Sequence, residues 1–304
     1  MMPTKPLLMT PMVGPLEAAE LTPDVAVGDG LQEMLGRALA VLHRRSSAAK
    51  TPGAEAVHRF RVGTRRLRSI LAAFAAALPE RERRALGDRL RAVAQRYGRV
   101  REWDVFLVQC VAPLRAAVPT EEMLAVLERQ ARRTRRSALP PVDTLKSNLA
   151  AIEQAIEEAA WLRRPSPDQA AVWDMPLRDY ASRLLDKRHR QLRRRVKTVD
   201  LTDPAAFHQL RIRVKKLRYP VELMKPLFDK KSAKTYVEQL VELQNVMGAL
   251  NDARVAANLM HDLSLPAPAE HLLVGWLARE AASARERFPA CARAFRRVAP
   301  FWEE

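Results

Sequence analysis

The sequence of 304 residues carries a net charge of +17 at neutral pH, with a pI near 10.7. Its length allows one large or two ordinary domains, and 48% hydrophobic residues are enough to build a core. No run of about 18 apolar residues occurs, so we expect no membrane-spanning segment and no insertion into a membrane. The excess of positive charge indicates an anionic partner: nucleic acid, a phosphate polymer or an acidic membrane surface.

The cysteines and the N-terminal residues indicate the cellular compartment of the protein. Cys110 and Cys291 lie in apolar, helix-like stretches without metal-ligand spacing, so we expect two buried thiols, no disulfide, no metal and no cofactor. Residues 1–22 contain several prolines but lack the apolar core and cleavage site of a signal peptide. We therefore predict a flexible N-terminal tail over 1–22 on a cytoplasmic protein.

The composition predicts an all-α fold. Ala, Leu and Arg are abundant, and no alternation typical of a β-strand extends over a useful length. Prolines separate the predicted helices. The predicted helices are 29–49, 54–78, 80–97, 101–117, 120–138 and 142–163 in the first half, and 174–199, 203–228, 230–247, 251–264, 267–287 and 290–299 in the second.

Two glycines and one polar pair mark predicted helix boundaries. Gly98 and Gly248 are typical of glycines that follow a helix C-terminus. Asn251 and Asp252 would then cap the helix that begins after Gly248. The pair could also form part of a site, but capping is the simpler interpretation.

A basic helix occurs twice, 150 positions apart. The matched pairs are His58 with His208, Arg61 with Arg211, Arg65 with Lys215, Arg66 with Lys216, and Arg68 with Arg218. Helix positions i, i+3, i+7 and i+10 share one face, so four residues of each copy form a stripe about 15 Å long. The apolar residues lie beside this stripe, which places it at the edge of a groove between helices. Such a row of cations repels itself, which is typical of a surface that binds a long polyanion.

The same offset of 150 relates further basic positions, which we predict to be the side walls of the binding surface. These are Arg37, Arg44 and Arg45, matched by Lys187, Arg194 and Arg195, and Arg81 and Arg84, matched by Lys231 and Lys234. A repeat kept only for packing would keep only its apolar positions. The sequence therefore predicts a tandem duplication of a helical unit, with the boundary near residue 165.

The doubled segment resembles the paired signature helices of the CHAD family, a conserved-histidine α-helical domain. Two further stretches, 98–105 and 243–252, fit the same family, and the resemblance covers residues 23–304. Glu102 stands where the family usually has Asp, and Met247 where it usually has Leu. Both departures border predicted turns, so they leave the expected binding surface intact.

This resemblance implies two helical bundles, 23–165 and 166–304, related by pseudo-two-fold symmetry around a basic central channel. It also implies binding of inorganic polyphosphate and, in many members, residence on polyphosphate granules. Many members carry an N-terminal triphosphate-tunnel domain. We expect none in this chain and accordingly no associated hydrolase activity.

His58 and His208 are expected to donate hydrogen bonds to phosphate, which would raise their pKa values. A structural role for them remains open, and a charged role predicts that affinity strengthens as the pH falls from about 8 to about 6.

Nucleic-acid binding is the main alternative function, because charge alone permits weak binding of any phosphate backbone. The stripes lack stacking aromatics and side chains suited to base edges, however.

Processing of polyphosphate or triphosphate is a further alternative. Phosphoryl transfer normally requires Mg²⁺ held by carboxylates, and no Asp or Glu cluster accompanies the stripes. The sequence therefore favours binding without catalysis and predicts no catalytic residue. It leaves the oligomeric state open.

Overall fold

The computed structural model describes residues 22–47, 54–118 and 122–303. The helices are α1 (Val27–Ser47), α2 (Ala54–Ala73), α3 (Glu80–Gln95), α4 (Gly98–Phe106), α5 (Ala112–Ala117), α6 (Glu122–Ser137), α7 (Val142–Glu157), α8 (Ala170–Trp173), α9 (Leu177–Thr198), α10 (Pro204–Met224), α11 (Lys230–Met260) and α12 (Ala267–Arg297). Within the described ranges the chain forms no β-strand, only an isolated bridge between Ala26 and Pro176. The all-α prediction is therefore confirmed, while nearly all of the predicted tail lies outside the described residues.

The two basic segments form helices that begin at matching positions and end within one residue of a match. α2 is followed by a 3₁₀ turn over Ala75–Ala77, and α10 by one over Lys225–Leu227, which is the same place 150 positions later. Asp203 caps α10 by accepting a hydrogen bond from the Ala205 amide at 2.8 Å, and Pro204 fills the first turn. At this helix the two halves have the same local structure.

Elsewhere the halves differ, and three predicted boundaries are wrong. α11 runs without a break from Lys230 to Met260, so Gly248 lies inside a helix and Asn251 and Asp252 cap nothing. A single glycine costs only about 1 kcal/mol in a helix interior. The buried side chains of Met247 and Leu250 flank it and contribute more than this by packing.

In the first half the chain does break, but at Tyr97 instead of after Gly98. α3 ends at Gln95, Tyr97 precedes α4, and Gly98 is the first residue of α4. The Tyr97 ring is fully buried, with its centroid 5.1 Å from that of Phe60, and its hydroxyl accepts a hydrogen bond from Asn148 at 3.0 Å. Because these contacts hold Tyr97 in position, the helix is interrupted here, between the end of α3 and the start of α4.

The predicted break at Pro289 is also wrong, because α12 continues through it. Phe288 and Ala292, on either side of this proline, are buried. Proline removes one helical hydrogen bond, and burial of the flanking apolar side chains offsets that loss.

Two hydrophobic clusters fill the interior, and each contains residues of both halves of the chain. The larger joins α1–α3, α7, α9 and α10 with the first part of α11 and the last part of α12. The smaller joins α4–α6 with the end of α11 and the start of α12. The end of α11 and the start of α12 therefore share a core with α4–α6 of the first half.

α9 holds α2 and α10 side by side. Arg188 of α9 donates one hydrogen bond to the Lys216 carbonyl at 2.5 Å and another to the Ala72 carbonyl at 2.6 Å. The Tyr180 hydroxyl, also on α9, donates to the Ala73 carbonyl at 2.7 Å. Because Arg188 donates to backbone carbonyls of both basic helices, it links α2 and α10 through their backbones.

Candidate functional site

The basic stripes of α2 and α10 meet in space. The Arg65 guanidinium of α2 lies 5.5 Å from the centre of the Tyr219 ring on α10. Tyr219 is one helical turn beyond Lys215, which is one turn beyond Arg211, so these three residues share a face. The contact with Arg65 brings that face against the stripe of the first copy.

Five half-buried cations from three helices form what we call the basic cluster. They are Arg61 and Arg65 of α2, Arg101 of α4, and Arg211 and Lys215 of α10. Burial lowers the pKa of Arg61, and the neighbouring positive charges of the cluster lower it further. The cations therefore repel one another, and this repulsion lowers the stability of the folded protein.

Lys215 shows this repulsion most clearly. Burial lowers the pKa of its ammonium group to about 7, with further contributions from Arg211 and Arg65. An ordinary lysine is almost fully protonated at pH 7. In the ligand-free protein, Lys215 therefore loses its proton at a much lower pH than an ordinary lysine does.

A donor in the cluster also lacks a partner. The Nε atom of Arg211 is buried and has no hydrogen-bond partner among the described residues. Buried donors are nearly always satisfied in native proteins. An anion in the cluster would accept from this group, so its position is consistent with a ligand site.

Carboxylates from both halves of the chain act on the basic cluster. Asp252 of α11 acts electrostatically on Arg211 and Lys215, and burial raises the pKa of this carboxyl although the cations favour its ionised form. Glu102 of α4 acts in the same way on Arg61. At an offset of 150, Glu102 is matched by Asp252, and Arg61 by Arg211. Asp104 acts on Arg101 as well, but it already pairs with Arg135 outside the cluster at 2.6 Å, so the cluster keeps a net positive charge.

His58 and Arg68 extend the cluster along α2 in opposite directions. Burial lowers the pKa of His58, and the Arg101 guanidinium lowers it further, so this imidazole is neutral at pH 7 in the free protein. The pKa of Arg68 is also lowered, chiefly by burial and then by Arg91. The predicted rise of the histidine pKa beside phosphate therefore requires the ligand to be bound.

The other predicted residues of the two segments lie in different surroundings. Arg218 is buried and pairs with Glu222 at 2.7 Å, so a carboxylate of its own helix already neutralises it. Arg66 is buried and lines a small cavity between α2 and α10. Lys216 and His208 are exposed. The structure thus makes the two histidines unequal, since only His58 acts within the cluster.

The predicted side-wall residues are mostly on the open surface. Arg44, Lys187, Arg194, Arg81, Arg84, Lys231 and Lys234 are exposed, Arg37 and Arg195 are half-buried, and the side chain of Arg45 lies outside the described part of the structure. Three of them form pairs four residues apart in sequence, Arg37 with Glu33, Arg84 with Glu80 and Lys234 with Glu238. Pairs of this kind occur on ordinary solvated helix faces and contribute little stability.

Sequence reasoning missed Arg101 as a member of the site and preferred helix capping to a site role for Asp252. The offset of 150 offered a signal for Asp252, since it matches Glu102 with this residue just as it matches the cations. Arg101 is matched by Asn251, so the repeat gives no signal for it.

The charge of Lys215 has a measurable consequence for stability. The unfolded chain holds this proton up to its ordinary pKa of 10.5, whereas the folded chain releases it at about 7. Stability therefore rises with pH between these values, because the unfolded state binds more protons. We expect Lys215→Met to stabilise the ligand-free protein at pH 7 by about 1–2 kcal/mol.

Thermal unfolding of the wild type and the Lys215→Met variant at pH 7 and pH 10 checks this expectation. The variant should unfold at the higher temperature at pH 7, and the difference should shrink at pH 10, where the wild-type lysine is neutral in the folded state. A less stable variant at both pH values would contradict an electrostatic cost at Lys215.

The described residues provide neither a metal-binding cluster nor a membrane-spanning helix. The described part of the chain holds no group of three or more His, Cys, Asp or Glu side chains that could bind a metal ion. Its helices include none with the length and apolar character needed to cross a membrane. Cys110 is buried as predicted, and burial raises its pKa to about 12, but Cys291 is only partly buried.

Comparison with known proteins identifies the family. The CHAD domain family model matches residues 33–261. The crystal structure of the CHAD domain from the plant Ricinus communis is similar with a TM-score of 0.73 and 25% sequence identity, over 94% of this chain and 97% of that chain. PptA from Streptomyces chartreusis has a similar fold, with a TM-score of 0.60 and 18% identity over 92% of this chain and 100% of that chain. A comparison with curated proteins gives no match. The chain therefore belongs to the CHAD domain family.

Proposed function

We propose that the basic cluster binds inorganic polyphosphate and does not cleave it. The observation that carries this proposal is the meeting of both basic stripes in one half-buried cluster that retains a positive charge. Keeping five mutually repelling cations half-buried lowers stability unless a ligand neutralises them. A ligand that supplies closely spaced negative charge removes this cost.

The chemistry of the side chains suits phosphate. Arginine presents a planar fork that can bind two phosphate oxygens at once, and four of the five cations are arginines. Four of the five cations lie along the adjacent helices α2 and α10, so they can bind successive phosphates of a linear polymer. We infer that the polymer runs between α2 and α10, with His58 and Arg68 at opposite ends of the α2 stripe.

The site suits a phosphate chain without bases better than it suits nucleic acid. The aromatic residue placed against the cluster is Tyr219, and Arg65 already covers its ring at 5.5 Å. Single-strand binders use open aromatic faces to stack bases. The charge would still allow weak, salt-sensitive binding of nucleic acid.

Absence of catalysis is part of the same proposal. Phosphoryl transfer usually requires carboxylates free to hold Mg²⁺ beside the phosphates. Asp252 is half-buried among cations, and Asp104 pairs with Arg135 at 2.6 Å. We further propose that the protein is cytoplasmic and associates with polyphosphate granules, with the exposed basic residues of the predicted side walls extending the surface.

Isothermal titration calorimetry with polyphosphates of graded length tests the proposal. We expect affinity to increase with chain length until the cluster is filled and then to level off when expressed per chain. A salt series should show an approximately linear fall of log affinity with log salt concentration, because cations are displaced from the polymer. Affinity that is equal for orthophosphate and long chains would refute a polymer site.

Competition separates polyphosphate from nucleic acid. Single-stranded DNA at equal phosphate concentration should fail to displace labelled polyphosphate, whereas unlabelled polyphosphate should displace it fully. Release of orthophosphate during long incubation with Mg²⁺ would show that the protein is an enzyme and would overturn the non-catalytic part of the proposal.

A further inference from the structure

A groove runs between α11 and α12, and the start of α10 with the preceding loop forms its third wall. Its volume is about 370 Å³, which is within the range of sites for small molecules. The wall from α11 extends from Leu250 to Met260, a distance of about 15 Å at 1.5 Å per residue. Most of the lining is apolar, so the groove suits an elongated apolar molecule.

The sequence repeat gives a physical reason for this groove. Ala253, which lines it, is matched at the offset of 150 by Trp103, whose indole is fully buried in the first half. A side chain reduced from tryptophan to alanine leaves space that its neighbours fill only in part. Val274 at the groove is 50% exposed, whereas its match Leu124 is fully buried. The second half therefore lacks apolar cover that the first half possesses.

Two arginines also line the groove, Arg254 of α11 and Arg285 of α12. They are matched by Asp104 and Arg135, which form an ion pair at 2.6 Å in the first half. The carboxylate of that pair is thus replaced by a second guanidinium group. Within the described part of the chain, neither Arg254 nor Arg285 forms an ion pair with a carboxylate. The groove therefore combines an apolar surface with two cations that can bind an acid.

The arginines lie towards one end of the groove. Arg254 is one helical turn from Leu250, and Arg285 is one turn from Ala281, and both of these apolar residues pack in the larger hydrophobic cluster. Met260, six residues beyond Arg254, belongs to the smaller cluster, which joins the end of α11 to the start of α12. The two helices are therefore antiparallel, and the groove has one cationic end and one apolar end.

We propose that this groove binds a single-chain carboxylic acid, with the carboxylate at Arg254 and Arg285 and the hydrocarbon chain extended towards Met260. Guanidinium groups can bind both oxygens of a carboxylate at once. The chain would cover Val274 and remove apolar surface from water. Such a ligand supplies the two features that the first half obtains from its own indole and carboxylate.

This site is separate from the basic cluster and does not depend on polyphosphate binding. No member of the basic cluster is among the described residues that line the groove. The two sites are close, however, because the charge of Arg254 lowers the pKa of Arg211 in the cluster. A carboxylate bound at Arg254 would offset this repulsion as well.

Calorimetry of the full chain with decanoate at pH 7 tests the proposal, with decan-1-ol as an uncharged molecule of the same chain length. We expect one decanoate to bind per protein. Its affinity should be at least about tenfold higher than that of the alcohol, because hydrogen bonds to a charged group strengthen binding by about this factor or more.

Two arginine variants assign the charged end of the ligand. Arg285→Ala should lower the affinity for decanoate to that for decan-1-ol. The matched control is Arg287→Ala, which removes an exposed arginine of the same helix that does not line the groove. This control should change the affinity little, because only long-range attraction is lost.

Ala253→Trp tests the apolar part of the groove. It places in the groove the side chain found at the matching position of the first half, and it should abolish binding of both the acid and the alcohol. The comparison of Arg285→Ala with Arg287→Ala does not require the tryptophan variant to fold, so the proposal stays testable without it.

Equal affinity for decanoate and decan-1-ol would overturn the proposal, and so would equal losses of affinity in the two arginine variants. Sedimentation with vesicles of phosphatidylcholine and phosphatidylglycerol tests a membrane surface as the alternative. We expect the wild type and Ala253→Trp to bind such vesicles alike, because this binding depends on the net positive charge. Release of the protein from vesicles by Ala253→Trp would assign the groove to membrane docking and refute the proposed ligand.

Discussion

Replacement of Arg65 and Lys215 together by alanine should weaken the binding of long-chain polyphosphate at least about 100-fold. A hydrogen bond to a charged group contributes about 1.5–3 kcal/mol, so the loss of two such contacts corresponds to about 3–6 kcal/mol, and 1.4 kcal/mol is a factor of ten. One residue comes from each copy of the repeated segment, so the variant removes the contact of the polymer with both helices. Calorimetry at fixed salt concentration measures the effect.

The matched control removes the same charge elsewhere. Arg59 lies on α2 but is exposed and pairs with Glu55 at 2.7 Å, and Lys225 is exposed just beyond the end of α10. The Arg59→Ala/Lys225→Ala variant therefore loses one arginine and one lysine outside the basic cluster. We expect its affinity to fall by less than about tenfold, through weaker long-range attraction alone. Equal losses in the two double variants would mean that the polymer responds to overall charge and that the cluster is not the site.

Binding of polyphosphate should strengthen by about tenfold as the pH falls from about 8.5 to about 7, because binding takes up a proton at Lys215. The pKa of this group is about 7 in the free protein, and a bound polyanion favours the ammonium form and raises it. Affinity is therefore lost as the pH rises above the pKa of the free state. His58 adds a second proton uptake at lower pH, because its pKa in the free protein lies below 6.5.

Variants separate the two titrations. Lys215→Arg keeps the positive charge at all accessible pH values, so the dependence above pH 7 should disappear while binding persists. His58→Ala combined with His208→Ala should leave the dependence above pH 7 and flatten the profile below it. If Lys215→Arg retained the wild-type profile above pH 7, the proton would be taken up elsewhere and the assignment to Lys215 would be wrong.

The sequence alone was sufficient for the helical class and for the central helix of each half. α2 and α10 lie where the basic repeats predict them, because a helix face is a local property that depends only on residue spacing. The positions of Asp203 and Pro204 at the start of α10 follow from local capping chemistry as well. These features need no information about neighbouring helices.

Predictions failed where tertiary packing outweighed a local signal. Gly248 and Pro289 are helix breakers by intrinsic preference, yet α11 and α12 continue through them because buried neighbours stabilise the helix. Tyr97 breaks the chain in the first half although it is no helix breaker, since its ring packs against Phe60 and its hydroxyl is hydrogen-bonded. In each case a contact distant in sequence decided the outcome.

Some features of the candidate site also follow from local sequence, and others only from tertiary packing. The amino-acid sequence by itself determined that two stripes of cations exist, that they are spaced alike, and that their own positions contain no acid. Only the tertiary structure decided that α9 holds the stripes together, that Arg101 and Asp252 join them, and that Arg218 is neutralised by Glu222. The physical reason is range: residue spacing governs which side chains share a helix face, whereas burial and charge coupling depend on which helices pack against each other.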